Sequence, residues 1–242
     1  RPGTAEVAAI DLLIELAART GARVHIVHLA NADALSSIGG ARGRGVAISV
    51  ETCPHYLTFA AEDVADGDTA LKCAPPIREG EHRERLWGAL AQGRIDLIAT
   101  DHSPAPSKLK HLEDGDFLKA WGGVASLQIA LSIVWDGASR RHIPIERVAD
   151  WMSAAPAKLA GLSGRKGAIA PGCDADLVIF DPDREMVVDA SRLYHRHPVT
   201  PYDGARLRGV VMATMLGGEI IFDHGEVIGE PLGRLIGRHT HL

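Results

Sequence analysis

A chain of 242 residues with 46% hydrophobic composition can bury one large core, or one core and a smaller second. A formal net charge of −5 leaves no electrostatic reason to expect nucleic acid or a membrane surface as partner, and no apolar run approaches the ~20 residues that span a bilayer. Cys53, Cys73 and Cys173 form no Cys-x-x-Cys pair, so free thiols in a reducing, cytoplasmic compartment are expected rather than a disulfide framework.

Over residues 7–19 the apolar positions Ile10, Leu13, Ile14 and Ala17 recur at the spacing of one helix face, and Gly21 ends the run. Residues 24–29 are rich in β-branched side chains and read as a strand. A helix is predicted over 31–42, with Asn31 as its cap. Residues 46–52 form a second strand that runs into Cys53-Pro54-His55. Residues 71–74 read as a shorter strand, cut off by Pro75 and Pro76, which cannot continue a ladder. A helix over 81–92 closes at Gly93. The apolar run at 95–99 is too short for a helix and reads as a buried strand. It delivers Thr100-Asp101-His102-Ser103 to a proline-broken loop.

Strand and helix thus alternate up to about residue 105, the pattern of βα units around a parallel sheet. Helices are predicted over 124–139 and 144–162, the second broken near Ala155-Pro156. Beyond Gly161 the pattern changes to short strands within 167–180 and 209–222, set between Gly, Pro and Asp turns. The boundary between the two regions falls near residue 165.

Side chains alternate faces along a strand, so His25 and His28 are expected on opposite sides, His28 at the strand's end and His25 packing outward. His55 follows the second strand and Asp101 closes the strand of 95–99. Taken singly, each histidine has an ordinary explanation as a hydrogen-bonded core or loop residue, and Asp101 as a cap. Taken together, they stand at three strand ends, and in a (β/α)8 barrel those ends share the face that carries active sites. Two imidazoles and a carboxylate converging there are ligands suited to Zn2+ or a similar divalent ion. Cys53 and Cys73 are alternative donors, although thiolate-rich sites are usually closed structural ones and these two fall on different strands. His102 follows Asp101 directly and is expected to point the other way, at most supporting a ligand.

Four stretches, His25-Ile-Val-His28-Leu29, Glu51-Thr-Cys-Pro-His55-Tyr-Leu57, Lys72-Cys-Ala-Pro-Pro-Ile-Arg78 and Thr100-Asp-His-Ser-Pro104, resemble the second half of the cyclic amidohydrolases of the hydantoinase and dihydroorotase group. Trp121-Gly-Gly-Val-Ala-Ser-Leu-Gln128 and His195-Arg-His-Pro-Val-Thr-Pro-Tyr-Asp-Gly204 are similar to the allantoinase branch of that group. A hydantoinase would be expected to show Pro-Asn-Gly and a Glu near residue 121, and Cys in place of Ser103. The likeness covers nearly the whole chain, and residues 167–180 are its least discriminating part.

The resemblance implies an α/β fold, the TIM-like (β/α)8 barrel of a metal-dependent amidohydrolase. Residues 1–165 would supply its C-terminal half, and residues 166–242 a small β-sandwich segment and tail. It makes His28 and His55 ligands of one metal of a two-metal centre, with zinc the expected ion. It makes Asp101 a ligand of the other metal and the catalytic general base. The substrate ring would lie near Cys73, Ala74, Ser103, Trp121 and Gly122, held largely through backbone groups, although a loop-to-helix junction also explains Trp121 and its glycines. The family's first-strand His-x-His pair and its bridging carboxylated lysine are not expected here, because His195-Arg-His197 and His239-Thr-His241 fall in the β region and tail. The chain opens Arg1-Pro2 without a Met, so it is expected to begin at the helix before the fifth barrel strand of a longer protein. The implied activity is hydrolytic opening of allantoin to allantoate, a step of purine catabolism, by a homo-oligomer, a tetramer at full length. Hydantoins, dihydropyrimidines and dihydroorotate are the sibling substrates. A non-catalytic binding or assembly fragment is the alternative of a different class.

Overall fold

Ile10, Ile14 and Ala17 are the buried stripe of the first helix, α1 (Gly3–Thr20), and Gly21 closes it in the left-handed conformation with φ +71°, its N–H returning to the Ala17 carbonyl. The structure is a computed structural model and describes residues 1–236; His239 and His241 lie outside the described residues. Leu13, expected on the buried face, is instead 42% exposed beside Leu16. Two short βα turns follow: β1 (Val24–Ile26), α2 (Ala34–Gly43), β2 (Ile48–Thr52) and α3 (Pro54–Thr58). After them come α4 (Gly80–Ala91) and β3 (Leu97–Ile98). Asn31 does not cap α2. Asp33 holds the cap position, and the Asn31 carboxamide oxygen accepts from the Asp33 N–H at 2.8 Å, shaping the turn before the helix.

The three strands lie in the order β1-β2-β3, all parallel, with His25 opposite Ser49 and Glu51 opposite Leu97. This register sorts the side chains. Ile26, Val50 and Ile98 pack into the core with Leu35, Ile38, Leu86 and Leu90 of the covering helices. Each such side chain contributes about 1.5–3 kcal/mol on leaving water. His25, Ser49, Glu51 and Leu97 share the other face.

Residues 71–74 are not a strand. Thr69–Leu71 is a 3-10 turn, and the chain then runs irregularly into Pro75 and Pro76, which have no N–H for a ladder. The helix expected over 124–139 starts late. Val124 bridges to His102, a 3-10 turn covers Leu127–Ile129, and α6 is Ala130–Ser139. The helix over 144–162 is not broken at its proline. It runs as α7 (Ile145–Ala149), a π turn (Asp150–Ala154) and α8 (Ala155–Leu159), so that Pro156 falls at the start of α8, where its missing N–H costs least.

Beyond residue 165 the chain forms one four-stranded antiparallel sheet, in the order β4 (Leu177–Val187), β5 (Arg206–Leu216), β6 (Glu219–Asp223), β7 (Glu226–Val227). A single layer stands there among the described residues, rather than two facing sheets. It is joined to α6: the Trp135 indole donates to the Pro182 carbonyl at 2.8 Å, and Arg208 N–H donates to the Asp136 carboxylate at 3.2 Å. Gly209, at φ +96°, lets β5 pass between the rings of Trp135 and Phe180, where a Cβ would overlap both.

Candidate metal centre

The C-terminal ends of the three parallel strands are stitched to one another. Leu29 N–H donates to the Glu51 carbonyl at 2.8 Å, the buried Thr52 hydroxyl donates to the Leu29 carbonyl at 2.8 Å, and Ala99 N–H donates to the Thr52 carbonyl at 3.1 Å. Glu6 of α1 adds a further tie, its carboxylate accepting from Ala30 and Asn31 N–H groups at 2.8 and 2.9 Å. Just past two of these ends, His28 and Asp101 sit in the left-handed region at φ +43° and +44°. Each such backbone costs on the order of 1–3 kcal/mol, and strain of this kind clusters where side-chain placement matters more than stability.

His55 lies in the first turn of α3, directly after Pro54, and is fully buried. Both of its ring nitrogens lack a hydrogen-bond partner among the described residues. Burial, reinforced by the nearby His28, pushes its pKa down to about 3, so the ring is neutral and offers a lone pair. The donor atoms of His55, Cys53 and Asp101 lie within 4.8 Å of one another. His28 stands outside that tight group, near enough for its charge to act on both His55 and Asp101. Asp101 is exposed in this chain, yet partial desolvation still raises its carboxyl from the ordinary value; His28 opposes this and Glu51 adds to it. A cation among these groups would reverse the balance and favour the carboxylate. The Cys53 thiol is pushed well up, by burial first and then by Asp101 and Glu51, which keeps it protonated and a poor ligand. Orphaned buried imidazole nitrogens beside a carboxylate fit a divalent ion. Without one, they are an unrepaid cost.

Of the five residues expected on the substrate side, Gly122 lies against Cys73 and Ala74, and Ser103 lies against the next residue, Gly123. A Cβ on Gly122 would stand 3.5–3.6 Å from the Cys73 and Ala74 backbone and the Ala74 side chain, and one on Gly123 would collide with Ser103. Ser103 N–H donates to the Val124 carbonyl at 3.0 Å, and Trp121, half exposed, has its N–H on the Leu109 carbonyl at 2.7 Å. The Tyr56 hydroxyl donates to the Pro75 carbonyl at 2.7 Å, tying the helix of His55 to the loop of Cys73.

Three placements differ from the sequence reading or were absent from it. His25 does not pack outward. It shares the face of Ser49 and Glu51, bonded to them at 2.7 and 2.9 Å, because the strand ends at Ile26 and alternation no longer governs His28. Glu51, read only as part of a motif, therefore holds His25 and also adds its negative charge to the surroundings of Asp101. Lys110 of α5 (Ser107–Lys110) was not singled out at all. It is buried, at 2% exposure, with its ammonium on the carbonyls of Lys72, Trp121 and Gly123 at 2.9, 3.2 and 2.9 Å.

Residues 3–221 match the family model described as Amidohydrolase family. An allantoinase of Streptomyces avermitilis is 50% identical over 98% of this chain and 52% of its own length. Allantoinases of Arabidopsis thaliana and Saccharomyces cerevisiae are 44% and 40% identical, over 97% and 98% of this chain and 48% and 51% of theirs. Among solved structures, an L-hydantoinase (dihydropyrimidinase) from Arthrobacter aurescens superimposes with a TM-score of 0.91 at 33% identity, over 95% of this chain and 51% of that one. A D-hydantoinase from Thermus sp. gives 0.88 at 30%, with the same coverage. The chain spans about half the length of the curated relatives it matches. The likeness makes the fold one of the TIM-barrel type.

Proposed function

The chain belongs to the amidohydrolase family, and from that premise we propose that it carries the second half of an allantoinase, which opens the hydantoin ring of allantoin to allantoate in purine catabolism. The observation that carries this reading is His55, buried with two orphaned nitrogens beside Asp101 and His28 in a chain 40–50% identical to allantoinases. In this reading residues 1–165 belong to the C-terminal half of the barrel and residues 166–242 to a β-sandwich. The apolar exposure of Leu13, Leu16 and Val27 beside β1, and of Val178 and Ile220 on the antiparallel sheet, supports it, since such surface is ordinarily covered. No described helix is long and apolar enough to cross a membrane. A cytoplasmic homo-oligomer, tetrameric at full length, is part of the proposal.

His28 and His55 would hold one divalent ion and Asp101 a second, with zinc proposed for both. Bound there, the metal would polarise the ring carbonyl and lower the pKa of water toward ~7. Asp101 takes the proton from the attacking water and hands it to the departing ring nitrogen. A C–O bond forms, the ring C–N bond breaks, and the water's protons end on nitrogen and in the carboxyl equilibrium. The backbone of Cys73, Ala74 and Gly122, with Ser103 and Trp121 beside them, holds the ring against these groups.

Metal content and ring opening, measured on the full-length protein, test the reading. About two metals per subunit and conversion of allantoin to allantoate are expected. Preference for hydantoin or dihydrouracil would keep the chemistry and replace the substrate. A metal-free protein inert toward all three would overturn it.

A further inference from the structure

We propose that Lys110 is a positioning residue that presents the Cys73 and Gly122 N–H groups as hydrogen-bond donors to a carbonyl oxygen of the substrate ring; this deepens the ring-amide reading and rests on it. The ammonium has three N–H groups, and three backbone carbonyls take them: Lys72, Trp121 and Gly123. Two of those carbonyls belong to the peptide units Lys72–Cys73 and Trp121–Gly122. In a trans peptide the C=O and the following N–H point in opposite directions. Drawing the Lys72 and Trp121 carbonyls to one ammonium therefore turns the Cys73 and Gly122 N–H groups away from it. Neither N–H donates to any partner among the described residues, although the adjoining Lys72, Trp121 and Gly123 N–H groups each donate to a backbone carbonyl.

The two donors are also brought side by side. The Gly123 N–H donates to the same Lys72 carbonyl at 2.9 Å, so the segments are joined twice, once by the backbone and once through the ammonium. Gly122 is close enough for a Cβ to meet Cys73 and Ala74 at 3.5–3.6 Å, and its lack of one keeps that face clear. A full charge on the carbonyl side polarises both peptides and strengthens the N–H groups opposite. Lys110 itself lies only nine residues after Asp101 along the chain, so the loop that carries the general base also carries the clamp on the ring. No sulfur, carboxylate or metal ligand is needed for this role.

The test uses the full-length, metal-loaded protein and its Lys110→Met variant, which keeps the length of the side chain and removes all three donors. Allantoin KM is expected to rise at least about tenfold with kcat and metal content within about twofold, the signature of lost uniform binding. Lys110→Gln, with an amide able to reach one carbonyl, should show a smaller rise. A folded Lys110→Met with unchanged KM overturns the proposal, as does loss of kcat and metal with KM intact. If Lys110→Met does not fold, Lys110→Gln decides by the same criterion; failure of both to fold makes Lys110 part of the scaffold and overturns it equally. If the wild type opens hydantoin or dihydrouracil and not allantoin, the substrate assignment fails while the KM comparison on that ring still tests Lys110. If the wild type opens no ring amide, both readings fall together.

Discussion

Replacing His55 with leucine should make the metal-free protein more stable and the metal-loaded protein less so. A neutral imidazole has one N–H donor and one lone-pair acceptor, and in His55 both are buried without partners among the described residues. An orphaned buried group costs about 1–3 kcal/mol, so the ring carries a penalty of at least about 2 kcal/mol that an apolar side chain of similar size would not. In a domain of this size, 1 kcal/mol moves Tm by about 2–4 °C, which places the expected gain at about 4–8 °C in chelator. Zinc at a hundredfold excess over its Kd should stabilise the wild type by about 2.7 kcal/mol and the variant by much less. The two melting curves therefore cross in order when metal is added. Thermal and urea unfolding, with EDTA and with zinc, on this chain and on the full-length protein, measure it. A His55→Leu variant that is less stable in EDTA would show that the ring has polar partners. Equal stabilisation of both proteins by zinc would show that His55 is not a ligand.

Burial raises the Cys73 thiol to about 11 and pushes the Cys53 thiol well up, whereas Cys173 is half-buried; a thiol reagent at pH 8 should therefore titrate one group quickly, and rapid labelling of Cys53, identified by peptide mapping, would refute the burial. Gly209→Ala places a Cβ at φ +96° against Trp135 and Phe180 and should cost about 3 kcal/mol, while Gly172→Ala, at φ +90° in open space, should cost only about 1. Equal losses in urea unfolding would show that the ring overlap does not matter. Burial, ahead of the opposing pull of Cys73 and the repulsion of Lys72, holds Lys110 down to about 8 from 10.5. Between those values the unfolded chain binds a proton that the folded chain lacks, so the wild type should gain stability with rising pH, up to about 3 kcal/mol relative to Lys110→Met. A difference between the two proteins that is flat from pH 8 to 10.5 would refute that pKa.

The parallel strands were legible in the sequence because their order is local: β-branched runs between glycine and proline stops, each ending in a residue that binds metals well. That His55 and Asp101 come together, with His28 just outside their group, follows from that placement plus the rule that parallel strand ends share a face. What could not be read was anything decided by where the main chain turns. Alternation assigned His25 outward, but the strand stops at Ile26 and His28 is set by its own left-handed backbone, so the rule's two residues are not on one ladder. Residues 71–74 have the composition of a strand, yet the Lys72 carbonyl that would enter a ladder is held by Gly123 N–H and by Lys110. Lys110 shows why such positions stay hidden. In Ser107-Lys-Leu-Lys110 it looks like a solvated surface cation, and its three partners are carbonyls, which every residue type carries. A side chain that recognises side chains leaves a spacing in the sequence; one that recognises main chain leaves none, and only its burial gives it away.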